Sequence, residues 1–281
     1  MDLDLEGLTV LITGASGGLG RAMAKGFAAE GANLVLHANS NAKSVKAQIE
    51  SNDWGDRALA VAADVSNAEE ITTAFGEAVK RFGRIDICIA NAGMWPPEDV
   101  PLHKMTSERL QRTVAVNLIG ASLTAREFLK QLAKAGPRVD ERGSSLTFIG
   151  STAGRFGERG HVDYAISKAG LYGLVRSLKN EIVNIDPCGR VNMVEPGWTV
   201  TEMAKDAIDE PGAVERIVRT MPLRQLGKAK DIANSVLFLS SPAVSGHVSG
   251  EVLTVAGGME GRVIWDLSQV DTRRIRRRLD L

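Results

Sequence analysis

Seven short runs of β-branched and aliphatic residues recur along the chain with helical stretches between them, and no other feature restricts the possible folds as strongly. The runs are Leu8 to Thr13, Leu34 to Ala38, Ala58 to Ala62, Ile85 to Ala90, Leu146 to Ile149, Val191 to Val194 and Val252 to Ala256. They lack the polar alternation of a strand with one wet face, so they read as strands buried on both sides. Between them, Met23 and Phe27 ahead of Gly31, and Ile71, Phe75 and Val79 ahead of Gly83, have the spacing of amphipathic helices that stop at glycine. Strand alternating with helix predicts an α/β fold, a doubly wound parallel sheet of seven strands with helices on both faces. Crossovers in such sheets are right-handed, so the carboxyl ends of the strands collect on one edge. Ligands bind there, where the strand order reverses, and residues that carry chemistry are sought just after strands.

With 281 residues, 44% of them hydrophobic, the chain is long enough for one sizeable core and is read as a single domain. That domain spans 1–261 and includes a small lid near 202–223, whose stretch Lys205 to Leu223 is broken by Pro211-Gly212, and a tail follows over 262–281. Thirty-four basic residues balance thirty-four acidic ones, which excludes a global positive field for nucleic acid or an anionic membrane. The two cysteines, Cys88 and Cys188, have no metal-ligand or disulfide spacing, which suits a reducing compartment, and no metal is expected. Met1 to Gly7 is acidic rather than leader-like and no apolar run reaches spanning length, so a cytoplasmic protein is expected. The run Arg273, Arg274, Arg276, Arg277, Arg278 could meet an anionic partner but is read as a solvated helix face.

The first strand leads into Thr13-Gly14-Ala15-Ser16-Gly17-Gly18-Leu19-Gly20, and a helix opens at Arg21. Glycines let a backbone turn tightly and approach a pyrophosphate, whose charge the helix N-terminus favours. A purely steric need for glycine at a strand-to-helix turn is the plainer alternative.

The spacing Gly14, Gly18, Gly20 resembles the variant Thr-Gly-x-x-x-Gly-x-Gly of the short-chain dehydrogenase/reductase family, in particular its 3-oxoacyl-ACP reductase-like members. The resemblance continues through Asp64-Val65, Asn91-Ala92-Gly93, Ser151, Tyr164-x-x-x-Lys168 and Pro196-Gly197, in order and over nearly the whole chain. It implies a Rossmann-type sheet and a nicotinamide cofactor. Ser16 and Leu19 would join the glycines at the phosphates, Asp64 would bind the adenine amino group, and Val65 would offer backbone. Asn91, Ala92 and Gly93 would brace the sheet beside the ribose, while Pro196, Gly197, Thr199 and Thr201 would meet the carboxamide. Thr199 departs from the isoleucine or valine usual in the family.

The second strand ends His37-Ala38-Asn39-Ser40, without the carboxylate that in NAD enzymes repels a 2′-phosphate. Asn39 and Ser40 would tolerate that phosphate, so NADP is favoured over NAD, although Gly17 stands where many NADP-using relatives have arginine.

Tyr164 and Lys168 share one face of a helix expected over Val162 to Val183. A tyrosine titrates at about 10, so acid–base work near neutrality asks for a lowering of roughly three pH units, about 4 kcal/mol. The Lys168 ammonium and a bound nicotinamide cation would supply it. Ser151 would orient the substrate oxygen, and the resemblance adds Asn117 as support for a water relay to the lysine, completing a tetrad Asn117, Ser151, Tyr164, Lys168. Each has a plainer reading alone, as core amide, turn residue or solvated helix residue. A serine hydrolase is excluded because none of His37, His103, His161 and His247 sits in a nucleophile-elbow context.

Met94, Trp95, Ala153, Arg155, Phe156, His161 and Trp198 are expected around the substrate. They leave a ketoacyl thioester, a sugar or polyol and a small ketone equally open. The helices around Leu110 to Leu132 and Val162 to Val183 carry surplus apolar residues, and the resemblance implies a homotetramer, with a dimer second. The competing hypotheses are an inactive redox-sensing binding protein and an interaction module.

Overall fold

In a computed structural model, which describes residues 2–39 and 42–279, the seven runs become seven strands within two residues of their expected bounds. In chain order the elements are β1 (Thr9–Ile12), α1 (Gly18–Ala29), β2 (Asn33–Ala38), α2 (Ala42–Ser51), β3 (Ala58–Ala62), α3 (Ala68–Phe82) and β4 (Ile87–Ala90). There follow α4 (Ser107–Val114), α5 (Gly120–Ala135), β5 (Ser145–Ile149), α6 (Thr152–Phe156), α7 (Val162–Glu181), β6 (Arg190–Pro196) and β7 (Thr199–Val200). The remainder comprises α8 (Lys205–Asp209), α9 (Ala213–Val218), β8 (Gly227–Lys228), α10 (Ala229–Ser240), α11 (Pro242–Ser245), β9 (Val252–Val255) and α12 (Thr272–Leu279).

The main sheet has seven parallel strands in the order β3-β2-β1-β4-β5-β6-β9, as the strand–helix alternation predicts, and the direction of winding reverses between β1 and β4. Alternation along each strand feeds two separate cores. Val10 and Ile12 pack with Met23 and Phe27 of α1 and Val236 of α10 on one face. Leu11 and Cys88 pack with Phe75 of α3, Phe128 of α5 and Val175 of α7 on the other. This double burial is why the runs show no polar alternation.

Local chemistry sets the helix ends. Asn67 caps α3 by accepting from the amides of Glu69 and Glu70, and Gly83, at φ +81°, ends it. The expected helix around Leu110 to Leu132 is instead two, since a π-helical turn over Ala115–Ile119 separates α4 from α5.

The pair β7–β8 forms a separate parallel ladder with Thr199 opposite Gly227, too short to leave a periodic signal in the sequence. Beyond it, Ile208, Val214, Val218, Met221 and Leu226 form a third cluster that also buries Ile275 of α12. The tail is therefore packed onto the 202–226 segment. Trp265 donates to the Met221 carbonyl at 2.8 Å, and Arg224 lies 4.2 Å over the Trp265 ring. Arg273, Arg274, Arg276 and Arg277 face solvent, as read from the sequence, whereas Arg278 bonds the Leu226 carbonyl at 2.7 Å. Among the described residues no helix is long and apolar enough to cross a membrane, and no cluster could hold a metal ion.

Candidate active site

A cleft of about 580 Å³ opens beyond the carboxyl ends of β1 and β4, and six of the sequence motifs line it. The glycine loop forms one wall. Gly14 adopts φ +65°, and a Cβ there would sit 2.9 Å from Ala92 Cα; one at Gly20 would sit 2.4 Å from the Gly14 oxygen. Only glycine brings these backbones so close. Gly17 precedes α1 with no side-chain cap, which leaves the helix's first amides facing the cleft for an anion. Ser16, Gly18, Leu19 and Thr201 lie alongside. A loop that only glycine lets pack this tightly, leading into an uncapped helix start on the cleft wall, fits a dinucleotide pyrophosphate.

Asn91 fastens the loop to the sheet: its Nδ2 donates to the Thr13 carbonyl at 2.8 Å and the Gly14 carbonyl at 3.1 Å. The Asn91 and Ala92 amides both donate to Thr13 Oγ1 at 3.0 Å. A second fastening was not anticipated from the sequence. His37, buried at the end of β2, accepts the Gly14 amide on Nδ1 at 3.2 Å and sits 2.9 Å from the Ala63 carbonyl through Nε2. That arrangement requires the neutral ring with its proton on Nε2. Burial holds His37 below its ordinary value despite its hydrogen bond to Ala63. As pH falls below 6.5 the unfolded chain binds a proton here that the folded chain resists. Stability is therefore expected to fall with acidification by up to about 1.4 kcal/mol per pH unit until the folded-state value is passed. A comparison of urea midpoints against pH for the parent and for His37→Asn checks this, since the variant should lose that part of the slope.

Asp64 accepts from the Ser66 amide and hydroxyl at 2.9 and 2.6 Å and pairs with Arg112 at 3.2 Å. Burial alone would raise its carboxyl, but these donors outweigh it and hold the group ionised. Asn39 stands exposed on the cleft rim, while Ser40 lies outside the described residues.

At the other end of the cleft are Ser151, Tyr164 and Lys168. Ser151 caps α6 by accepting the Ala153 amide at 3.2 Å. Lys168 lies one turn beyond Tyr164 on α7, its Nζ 5.8 Å from the tyrosine ring centre and donating to the Ile149 carbonyl at 2.8 Å. The expected lowering of Tyr164 is not produced by the protein's own groups. Its ring keeps some open surface, yet burial pushes the hydroxyl up to about 12, aided by the Glu158 charge and opposed by a Ser151 hydrogen bond. Lys168, buried, is pushed down to about 8. Desolvation disfavours the charged form of both groups and is the largest cause of each shift.

Asn117, carried inward by the π-helical turn, does not line the cleft directly. It accepts the Met94 amide at 2.8 Å and donates to the Met94 carbonyl at 2.9 Å and Ser167 Oγ at 3.0 Å. A Cβ at Gly93 would meet Asn117 Oδ1 at 3.2 Å and Lys168 Nζ at 3.4 Å, so the three converge. Pro196, Gly197 and Thr199 close the floor, and the Thr199 hydroxyl donates to the Gly197 carbonyl at 3.0 Å, bracing the turn.

Of the expected substrate residues, Met94, Trp95, Ala153 and Trp198 line the cleft, and three do not. Arg155 turns away to pair with fully buried Glu195 at 2.8 Å, a compensation that a buried carboxylate demands. Phe156 is 41% exposed and its ring lies against Gly261. His161 is buried behind Trp95, stacked at 4.7 Å, with Nε2 2.7 Å from the Pro96 carbonyl. Residues missed include Glu158, Met203 and Met259, which reach the cleft from short turns and the tail junction, where no periodicity marks them, and Arg112 of α4.

The sequence profile described as enoyl-(acyl carrier protein) reductase matches residues 14–260. L-rhamnose 1-dehydrogenase (NAD(P)(+)) of Sphingomonas sp. (strain SKA58) is 34% identical over 91% of this chain and 97% of that protein. The 3-oxoacyl-[acyl-carrier-protein] reductase of Escherichia coli (strain K12) is 32% identical over 92% and 99%. A crystal structure described as short-chain dehydrogenase/reductase, glucose/ribitol dehydrogenase, from Brucella melitensis superposes with a TM-score of 0.83 at 32% identity, over 92% and 99% of the two chains.

Proposed function

The chain belongs to the short-chain dehydrogenase/reductase family and is an NAD(P)-dependent oxidoreductase acting at CH–OH or carbonyl groups, and on that footing we propose how its own residues perform the reaction. Gly14, Ser16, Gly18, Leu19 and Gly20 would hold the pyrophosphate, Asp64 and Val65 the adenine, and Asn91, Ala92 and Gly93 the adjoining ribose. Pro196, Gly197, Thr199 and Thr201 would hold the carboxamide end. The nicotinamide, when bound, supplies or accepts a hydride at C4. Tyr164 exchanges the proton with the substrate oxygen, and Ser151 holds that oxygen in place. Lys168 favours the ionised phenol electrostatically, and Asn117 supports the proton route behind it. The observation that carries this reading is that one cleft is lined by the glycine loop at one end and by Ser151, Tyr164 and Lys168 at the other.

The substrate is a small carbonyl compound or secondary alcohol: a ketoacyl thioester, a sugar or polyol, or a small ketone. The inactive, redox-sensing alternative gains no support, because the named relatives are enzymes. NADP is favoured, since β2 ends without a carboxylate at Asn39. The 202–223 segment serves as the lid. Exposed Ile119 of the π-helical turn and Ile166 of α7, beside Leu110 and Val114 of α4, give an apolar patch that supports a homotetramer, with a dimer second. The free thiols Cys88 and Cys188 suit the cytoplasm.

Titration with NADPH and NADH, followed by nicotinamide fluorescence, tests the cofactor assignment. Tighter binding of NADPH is expected. Preference for NADH would overturn that choice alone, and binding of neither would overturn the assignment of these residues to a cofactor.

A further inference from the structure

At the substrate end of the cleft one charged side chain has no role in the reaction described above. Glu158 follows Gly157, whose φ of +78° ends α6 and turns the chain back toward the cleft. Its Oε1 accepts the Trp95 indole N–H at 3.2 Å, and its Oε2 has no partner among the described residues. The side chain is 24% exposed and shielded enough that burial raises its carboxyl.

We propose that the substrate is a neutral polyhydroxylated compound, a sugar or a polyol, and that Glu158 determines this by accepting hydrogen bonds from its hydroxyls. The inference rests on the oxidoreductase reading of the cleft and narrows its substrate. An acyl chain laid against Glu158 would leave a carboxylate oxygen desolvated and unpaired, which is costly. A hydroxyl supplies the missing donor, and a charge-assisted hydrogen bond of this kind is about twice as strong as a neutral one.

The surroundings disfavour an anionic substrate as well. Arg155 is held by Glu195, Lys168 by the Ile149 carbonyl, and Arg112 by Asp64 at the opposite end. Among the described residues lining the cleft, Lys168 is the one cation not paired with an acid, and it is engaged with the Ile149 carbonyl beside Tyr164, whereas Glu158 would repel a carboxylate or phosphate on the substrate. Trp95 and Trp198 meet edge to face, 6.4 Å apart at 77°, and form an apolar corner of the kind on which the C–H face of a sugar packs. The Trp95 indole does double duty, as wall and as the clamp that orients the Glu158 carboxylate.

Steady-state turnover of the full chain with its preferred cofactor tests the proposal on three classes: neutral aldoses and polyols, sugar acids, and an acetoacetyl thioester. Cofactor affinity is measured separately by fluorescence. Turnover is expected with a neutral sugar or polyol. For that substrate Glu158→Leu should raise KM so that kcat/KM falls about ten- to a hundredfold. Glu158→Gln, which keeps one acceptor oxygen, should lose less, and both should bind cofactor as the parent does. A preference for the thioester or a sugar acid, failure of every neutral compound with cofactor bound, or an unchanged KM in Glu158→Leu would each overturn the proposal. Loss of cofactor binding by the parent protein would instead overturn the reading on which it rests.

Discussion

Tyr164→Phe is expected to lower kcat by about 10²- to 10⁴-fold while leaving cofactor affinity unchanged. The substitution deletes one oxygen and keeps the ring that fills the cleft wall, so a structural loss cannot imitate the effect. The hydroxyl, pushed up to about 12, is overwhelmingly protonated near neutrality and is ready to donate to a developing alkoxide. No neighbouring acid replaces it: Ser151 is an aliphatic alcohol, a far weaker acid than a phenol. Glu158 lines the same cleft with one oxygen bonded to Trp95 and the other assigned above to accept from a substrate hydroxyl. Single-turnover rates with saturating cofactor check this, and turnover within tenfold of the parent would remove Tyr164 from the proton transfer.

Gly14→Ala is expected to weaken binding of the nicotinamide cofactor at least tenfold, whereas Gly17→Ala, three residues along the same loop, should change it little. An alanine at φ +65° costs about 1–2 kcal/mol in backbone energy alone. Its methyl group would also lie 2.9 Å from Ala92 Cα and 3.1 Å from Asn91 Nδ2, and the first of these is backbone that cannot rotate away. The loop must then shift from β4, which costs the Asn91 bonds to Thr13 and Gly14 and the bond from the Gly14 amide to His37. Gly17 instead has φ −80°, and a Cβ there would meet nothing nearer than the Gly14 oxygen at 3.6 Å. Paired fluorescence titrations, with circular dichroism to establish that both variants fold, check the contrast. Equal affinity of Gly14→Ala and the parent would show that the close approach at Ala92 is not what shapes the site.

Much of the site was legible because it is built from residues just after strands, and strands buried on both faces announce themselves as aliphatic runs. Gly14, Asn91, Ser151 and Pro196 each follow such a run, so finding the strands located them. Tyr164 and Lys168 were legible for a different reason, since four-residue spacing places two side chains together on any helix. The same reasoning misplaced Arg155, Phe156 and His161, because proximity in sequence to Ser151 and Tyr164 says nothing about which way a side chain leaves a five-residue helix or the loop after it. Arg155 was decided by Glu195, forty residues on, whose buried carboxylate needed a cation.

The sequence by itself determined the strand–helix alternation, the parallel sheet and the segments that meet at its carboxyl edge, because hydrophobic periodicity and glycine spacing are local properties of the chain. Tertiary structure alone decided the protonation balance of Tyr164 and Lys168, the His37 fastening of the glycine loop and the docking of the tail through Ile275. It also decided that Glu158, rather than Arg155, is the charge presented to the substrate. These depend on desolvation and on partners remote in sequence, and both quantities come into existence only when the surrounding elements have packed.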